Sequence, residues 1–437
     1  MKQRFFMVAA VFFFGLMLNA QQIKFEEYNL PNGLHVILHQ DNSAPVVTVG
    51  VMYHVGAKDE TAGRSGMAHF FEHLLFEGTP NIKRGEWMKI VASNGGQNNA
   101  NTTNDRTYYY ETFPSNNQQL GLWMEAERMR HAEINQIGVD TQREVVKEEK
   151  RLRMDNQPYG NLFTAVQNNL FTNHPYHWTT IGSMDDLNAA TLDEFKDFYK
   201  KFYAPNNATL VVAGDIKTDE TKKWIEEYYA NIPKSNISPK KFPQDAPITQ
   251  EKEVTATDAN IKLPAYVFAY RTPSNKEKDS YALDMISSYL SDGKSSVLYK
   301  KLVDKEKKAL EVMAFNMGLE EAGVFAFLAI PMGATTKDIL QADIDVEIKK
   351  LQTDLISEED YQKLQNQFEN QFVNQNSSIQ GIAHSLANAH VLLGNTNLIN
   401  QEIDIYKSVS REDLRNAAKK YLNSNQRVII NYVQEKK

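Results

Sequence analysis

His69-Phe70-Phe71-Glu72-His73 places two imidazoles four residues apart with a carboxylate between them. On a helix, positions four apart stand one above the other, so both rings can reach one point, and Glu72 projects beside them. Neutral imidazoles suit Zn²⁺, which in hydrolytic sites takes three protein ligands and keeps one position for water. A nearby carboxylate can then accept that water's proton. The H-x-x-E-H string thus predicts metal-assisted hydrolysis. The bland alternative is a pair of half-buried histidines on an amphipathic helix.

A third ligand has to come from elsewhere in the chain. His174 and His177 flank Pro175 in a predicted loop and could at most form a separate site, against the simpler reading of a turn with hydrogen-bonded imidazoles. His384 and His390 are six apart and should not share a helix face. The helical pattern from Thr141 to Met154 offers Glu144, Glu148 and Glu149. Glu149 falls with Val145, Val146 and Leu152 on the stripe expected to face inward, whereas Glu148 shares a solvated face with Glu144 and Arg151. An inward carboxylate needs a cation, which makes Glu149 the first choice and Glu148 the alternative.

The elements around these residues follow from pattern. Asn32-Gly33 signals a hairpin, and residues 46–53 form a β-branched strand. Helices are expected over 67–76, 85–94, 117–132, 141–154, 160–171 and 191–202, and strands over 97–104, 107–113 and 208–214. Residues 191–212 and 410–431 share one pattern without a gap: a capped amphipathic helix, a polar turn and a β-branched strand. A second correspondence pairs the helix ending at Gly78 with the one ending at Gly293, so the chain reads as a duplicated domain. Pro233, Pro239, Pro243 and Pro247 mark an extended linker over 232–250. The expected fold is α+β: tandem homologous domains, 21–231 and 251–437, each a mixed, mostly antiparallel sheet with helices on one face. Later strands are expected at 261–270, 310–316, 322–329 and 427–433, with a helix at 279–290. The Gln/Asn-rich stretch 365–376 keeps Leu364, Phe368 and Phe372 at helical spacing, so it reads as helix rather than as a prion-like segment.

Composition narrows the function class. The 437 residues are 42% hydrophobic and 24% charged, with no Cys, which excludes a disulfide scaffold and disorder. Lys2 and Arg4 precede an apolar run from Phe5 to Leu18, and Ala20 precedes Gln21-Gln22. This is the pattern of an export signal covering 1–20, too short for the roughly 20 residues of a membrane span. Without those two cations the net charge of −7 becomes more negative, disfavouring nucleic acid or anionic membrane as partner. Bacterial periplasm is the expected compartment, with secretion as the alternative.

The motifs together resemble the pitrilysin/insulinase family of zinc peptidases, the inverzincins, and within it the two-domain subgroup that includes mitochondrial processing peptidase. The resemblance spans nearly the whole mature chain: LPNGLHVIL at 30–38, GMAHFFEHLLFEGT at 66–79, NNANTTNDRTYYYET at 98–112, QREVVKEEKR at 142–151, HPYHWTTIGSMDDL at 174–187 and YAPNNATLVVAGD at 203–215. It implies that His69, His73 and Glu149 hold one Zn²⁺ per chain and that Glu72 is the base. It also implies that Asn99 and Ala100 lie on a strand whose open edge pairs with an extended peptide, enclosed between two halves of a hollow shell. On pattern alone, 97–104 would be an ordinary polar edge strand.

Two departures from the family pattern stand out. The supporting acidic residue seven positions before the third ligand is replaced by Gln142. In the second half, Val303 and Leu310 occupy the places of an Arg and a Tyr that contact substrate, and Asp284, Ser287 and Ser288 stand where the first half has its zinc motif. The resemblance then implies a homologous zinc-free partner that supplies the Arg/Tyr pair, or a homodimer. The competing readings are a non-catalytic peptide-binding or scaffold subunit of the same fold, and a zinc hydrolase acting on something other than peptides.

Overall fold

The computed structural model describes residues 22–435 except Pro239, and the expected leader over 1–20 lies outside them. Among the described residues the chain builds two mixed, mostly antiparallel sheets packed with helices. The first contains β1 (Glu26–Asn29), β2 (His35–Gln40), β3 (Val46–Tyr53), β4 (Gln97–Thr102), β5 (Thr107–Pro114) and β6 (Ala208–Gly214), in the order β1-β2-β6-β3-β5-β4. The second contains β7 (Lys252–Asp258), β8 (Ala265–Thr272), β9 (Ala309–Met317), β10 (Gly323–Pro331) and β11 (Arg427–Gln434), in the order β7-β11-β8-β10-β9.

The order of the second sheet repeats that of the first from β2 onward, and each sheet has one parallel pair, β2 with β6 and β7 with β11. The repeated helix-strand unit carries the same start signal in both halves. Thr191 and Glu194 form a reciprocal cap on the helix Leu192–Phe202, and Ser410 and Asp413 do so on Arg411–Tyr421. The Asn32-Gly33 turn joins β1 to β2, with Gly33 at a φ of 90°. β7 has no strong signature, since its residues alternate mostly exposed and half-buried, and it was not expected as a strand.

Helices of each half pack on one face of its own sheet, as expected, but the opposite faces are also covered. Tyr108 of β5, Met52 of β3 and Val211 of β6 pack against Ile382, Ala383 and Leu386 of the helix Ile379–Val391, which comes from the second half. Reciprocally, Val166, Leu170 and Tyr176 of the first half pack against Val267, Ala326 and Ile430 of the second sheet. A sheet hydrophobic on both faces must bury both, and each half lends the other a helix for this purpose. The Gln/Asn-rich stretch lies in the helix Glu358–Gln375, where Leu364 and Phe368 are buried and Phe372 reaches the borrowed-helix cluster.

A buried ionic seam also joins the halves. Lys58 contacts Asp59, Asp105 and Glu320, the last across the duplication, at 3.1–3.6 Å. Asp105 accepts from Tyr176 Oη at 2.5 Å and from the Glu320 amide at 3.0 Å, and His54 Nε2 lies 2.7 Å from Glu320 Oε2. Burial tends to raise the Glu320 pKa, but the His54 contact and the Lys58 charge outweigh it and hold the carboxyl at about 2.

Two outcomes are expected. Truncating Leu386 to Ala, which removes a fully buried side chain at the borrowed-helix contact, should cost about 2–5 kcal/mol in urea unfolding. Because the folded pKa of Glu320 is depressed, its stabilisation is complete above the unfolded value near 4.5 and lost as pH falls towards about 2. Glu320→Gln should therefore lower stability at neutral pH, on the order of 2 kcal/mol, and flatten the stability profile between those limits.

Candidate metal centre

Residues 66–74 turn from a loop directly into the helix that carries the two imidazoles. Gly66 precedes it at a φ of 92°, and a Cβ there would meet the Ile181 carbonyl oxygen at 2.7 Å. The helix Met67–Leu74 buries Phe70, Phe71 and Leu74, and Tyr109 Oη donates to the Phe71 carbonyl at 2.8 Å. Its first turn is held by Glu60, whose carboxylate accepts from the Gly66 and Ala68 amides at 2.9 and 2.8 Å. These contacts leave His69, Glu72 and His73 on the remaining face, where all three are only partly exposed.

The opposing wall is the helix Gln136–Lys150, extended by a π-helical turn over Arg151–Asp155. It starts at Asn135, whose side chain accepts from the Gly138 amide at 2.9 Å. Val139 and Val146 anchor it in the core. Glu149 projects from it towards the imidazoles: its Oε2 lies 3.1 Å from His73 Nε2 and 3.6 Å from His69 Nε2. Glu148 instead points outward and pairs with Arg151 at 3.0 Å. The stripe used to choose between them is only partly as expected, because Val146 is buried while Val145 and Leu152 are exposed. At 3.6 residues per turn Val145 lies about 100° and Leu152 about 120° round the helix from Val146, so both fall towards its solvent side.

His69, His73 and Glu149 thus bring one ligand atom each within 4.8 Å of the others. Glu149 Oε2 and His69 Nδ1 are buried without a hydrogen-bond partner among the described residues. Burial, with His73 alongside, pushes the His69 pKa down to about 4, so this ring is neutral and presents a lone pair at neutral pH. The His73 contact lowers the Glu149 pKa against the opposing effect of burial, and its other oxygen meets Arg153 at 2.7 Å. Lone pairs facing each other across a buried gap repel unless a cation lies among them, and two imidazoles with one carboxylate are a donor set suited to Zn²⁺. The residues present fit that ion.

Glu72 does not join the three. Its Oε2 accepts from Thr102 Oγ1 at 2.7 Å, and burial raises its pKa against the lowering effect of that bond. Thr102 ends β4, the outermost strand of the first sheet, which also carries Asn99 and Ala100. Among the described residues the outer edge of β4 pairs with no other strand, and the Ala100 amide donates to Asn99 Oδ1 at 2.9 Å. Gln142 sits two turns before Glu149 and donates to Glu77 Oε1 at 2.6 Å, just beyond the His73 helix, while Arg84 pairs with the second Glu77 oxygen.

Other expected positions separate from this centre. His174 Nδ1 accepts from the Tyr176 amide and the His174 carbonyl faces His177 Nδ1, so these two histidines shape a turn. Asp284 accepts from Asn316 and Tyr406 in the second half, where burial raises its pKa to about 6. Ser287 donates to the Asp284 carbonyl. Val303 packs against the core of its own half, while Leu310 is exposed on β9, the edge strand of the second sheet. Glu60, Thr102 and Arg153 were not anticipated. Thr102 lies inside a motif and Arg153 inside a helical stretch already singled out, but only the fold shows what they touch.

Known proteins resemble this chain over most of its length. Residues 35–183 match the family described as insulinase (peptidase family M16), and residues 189–368 match the peptidase M16 inactive domain. A zinc protease PqqE of Helicobacter pylori is 33% identical over 95% of both chains. A probable mitochondrial-processing peptidase subunit beta of Arabidopsis thaliana is 24% identical over 74% of this chain and 62% of its own. Among solved structures, a protease from Helicobacter pylori superposes with a TM-score of 0.87 at 30% identity, covering 94% of this chain and 99% of that one. The periplasmic protease PqqL from Escherichia coli gives 0.76 at 18% identity over 94% of this chain and 48% of its own. The chain belongs to the insulinase family, peptidase family M16. Over 95% of its length it is similar to a protein named as a zinc protease.

Glu149 and Glu148 are separated by a direct test. Glu149→Ala should weaken zinc binding by at least 100-fold in a competition titration against a chromogenic chelator, and Glu148→Ala should leave it unchanged. The reverse order would move the ligand to the neighbouring residue.

Proposed function

We propose that this chain is a zinc-dependent endopeptidase that hydrolyses short or unfolded peptides. The observation that carries the reading is the meeting of His69, His73 and Glu149 beside Glu72, which is tied through Thr102 to the open-edged strand β4. An extended peptide pairs with β4 through its main chain, a mode that accepts many sequences because all peptides share a backbone. Asn99 and Ala100 lie on that strand and position the substrate.

His69, His73 and Glu149 hold the Zn²⁺, which when bound supplies Lewis acidity towards the scissile carbonyl and the attacking water. Thr102 occupies Oε2 of Glu72 and leaves Oε1 to take the proton of that water and return it to the leaving amine. Partial burial raises the Glu72 pKa towards working pH, which favours proton transfer in both directions. Gln142 supports the centre by holding Glu77 at the end of the imidazole helix, in place of an acidic residue.

The second half bears on whether the chain works alone. Val303 and Leu310 offer neither a cation nor a phenol, and Asp284, Ser287 and Ser288 do not form a metal cluster among the described residues. This supports a paired enzyme in which a homologous zinc-free subunit, or a second copy, completes the substrate contacts. The alternative is a non-catalytic peptide-binding or scaffold subunit. The division into an N-terminal catalytic domain over 21–231, a linker and a C-terminal domain from 251 is part of the proposal. So is export, which the leader pattern and the named periplasmic neighbour both support. No helix among the described residues is long and apolar enough to cross a membrane.

Glu72→Gln should retain zinc and lose roughly 10²- to 10⁴-fold of peptide turnover. The purified chain and this variant, incubated with a library of unstructured peptides and read by mass spectrometry, provide the check. Cleavage by both at equal rate would defeat the assignment of the base. If zinc is bound and neither cuts, cleavage should appear on adding a zinc-free homologous subunit; continued inactivity would favour the scaffold reading.

A further inference from the structure

On the far side of the first sheet from the imidazole helix's packing face, a second group of metal-ligating side chains comes together where the two halves of the chain meet. Glu27 lies on β1, His35 opens β2, and His390 lies near the end of the borrowed helix Ile379–Val391. One ligand atom from each of the three falls within 4.8 Å of the others. The two imidazole rings are stacked, with centroids 3.5 Å apart and planes within 3° of parallel.

Hydrogen bonding fixes how these groups present themselves. His35 Nδ1 is engaged by Asn29 Oδ1 at 3.0 Å, so as the donor of this bond it leaves the lone pair on Nε2. That Nε2 is buried, has no hydrogen-bond partner among the described residues, and lies 3.3 Å from Glu27 Oε2. A lone pair and a carboxylate oxygen therefore face each other at close range. Thr396 Oγ1 donates to Glu27 Oε2 at 2.5 Å, so its lone pairs are left for His390 Nδ1, 3.3 Å away. Carboxamide and hydroxyl partners behind the rings orient imidazoles as they do at metal centres. Burial lowers the pKa of both histidines, to about 4 for His390, which keeps the rings neutral and able to act as ligands.

We propose that Glu27, His35 and His390 form a second site for a borderline divalent transition-metal ion, of which Zn²⁺ is the type, that pins the borrowed helix to the first sheet. Two imidazoles and a carboxylate suit Zn²⁺ over Ca²⁺ or Mg²⁺, which take oxygen ligands. Lone pairs of parallel rings run side by side, so occupancy requires one ring to rotate out of the stack until both nitrogens aim at the ion. The ion's role is structural, since it joins β1 and β2 to a helix more than 300 residues later and leaves the catalytic face untouched.

The test is metal stoichiometry. The full mature chain is stripped with a chelator, equilibrated with buffered Zn²⁺ or Co²⁺, and its bound metal measured by atomic emission. Wild type should hold two ions per chain. Glu27→Gln and His390→Gln should each hold one and keep the ion at the His69/His73 centre. His73→Gln should also hold one, and the His73→Gln/His390→Gln double variant none. Melting of His73→Gln should shift upward with Zn²⁺, and that shift should vanish in the double variant. Two ions bound by both Glu27→Gln and His390→Gln, or a single wild-type ion abolished by His73→Gln, would overturn the second site. Loss of metal in His390→Gln with full retention in His73→Gln would instead overturn the catalytic-centre reading. Should His390→Gln fail to fold by circular dichroism, Glu27→Gln, at an exposed position, decides the matter.

Discussion

The structure is organised around an electrostatic requirement: a carboxylate oxygen on one helix is held 3.1 and 3.6 Å from two imidazole nitrogens on another, in a largely buried place. Without a cation, such an arrangement is opposed by desolvation and repulsion between lone pairs. The surrounding fold therefore has to hold it rigidly. Glu60 caps the first helix, Gly66 lets the chain enter it, and Tyr109 ties its middle to β5. On the second helix, Val139 and Val146 set the depth and Arg153 steadies the far oxygen of Glu149.

A second buried charge lies behind this face. Arg128 is fully buried between Glu111 and Glu125, with its guanidinium 4.1–4.4 Å from the rings of Trp87, Phe76 and Tyr109. Burial and the Glu125 charge raise the Glu111 pKa well above the usual carboxylate range, opposed by Arg128. An arrangement of this kind contributes little net stability but strongly penalises misplacement, because Arg128 left without its acidic partners would be a buried uncompensated charge. Tyr109 touches both this cluster and the imidazole helix, so it links the rigid interior to the site.

Several parts were legible in the sequence because they are local. The His69/Glu72/His73 face needs only helical periodicity, and the caps at Thr191 and Ser410 need only four consecutive residues. The helix through the Gln/Asn-rich stretch was readable from Leu364 and Phe368, whose burial does not depend on the polar residues between them. Glu149 was favoured for a partly mistaken reason: Val145 and Leu152 are exposed, and Val146 alone of the three carries the inward face. β7 escaped notice because its parallel pairing with β11 involves partners 176 residues apart and its own alternation is weak.

The amino-acid sequence alone determined the chemistry available to this protein: two helical imidazoles, a carboxylate beside them, a duplicated α+β unit, and a second unit lacking the zinc motif. These follow from residue identity and short-range geometry, which the chain carries wherever it folds. Only the tertiary structure decided that Glu149 rather than Glu148 meets the imidazoles, and that Thr102 on the open edge of β4 holds Glu72. It also decided that each half covers the second face of its neighbour's sheet, and that Glu27 and His35 meet His390. Those choices rest on contacts between segments separated by tens to hundreds of residues, and local periodicity carries no information about which distant surface will be buried against which.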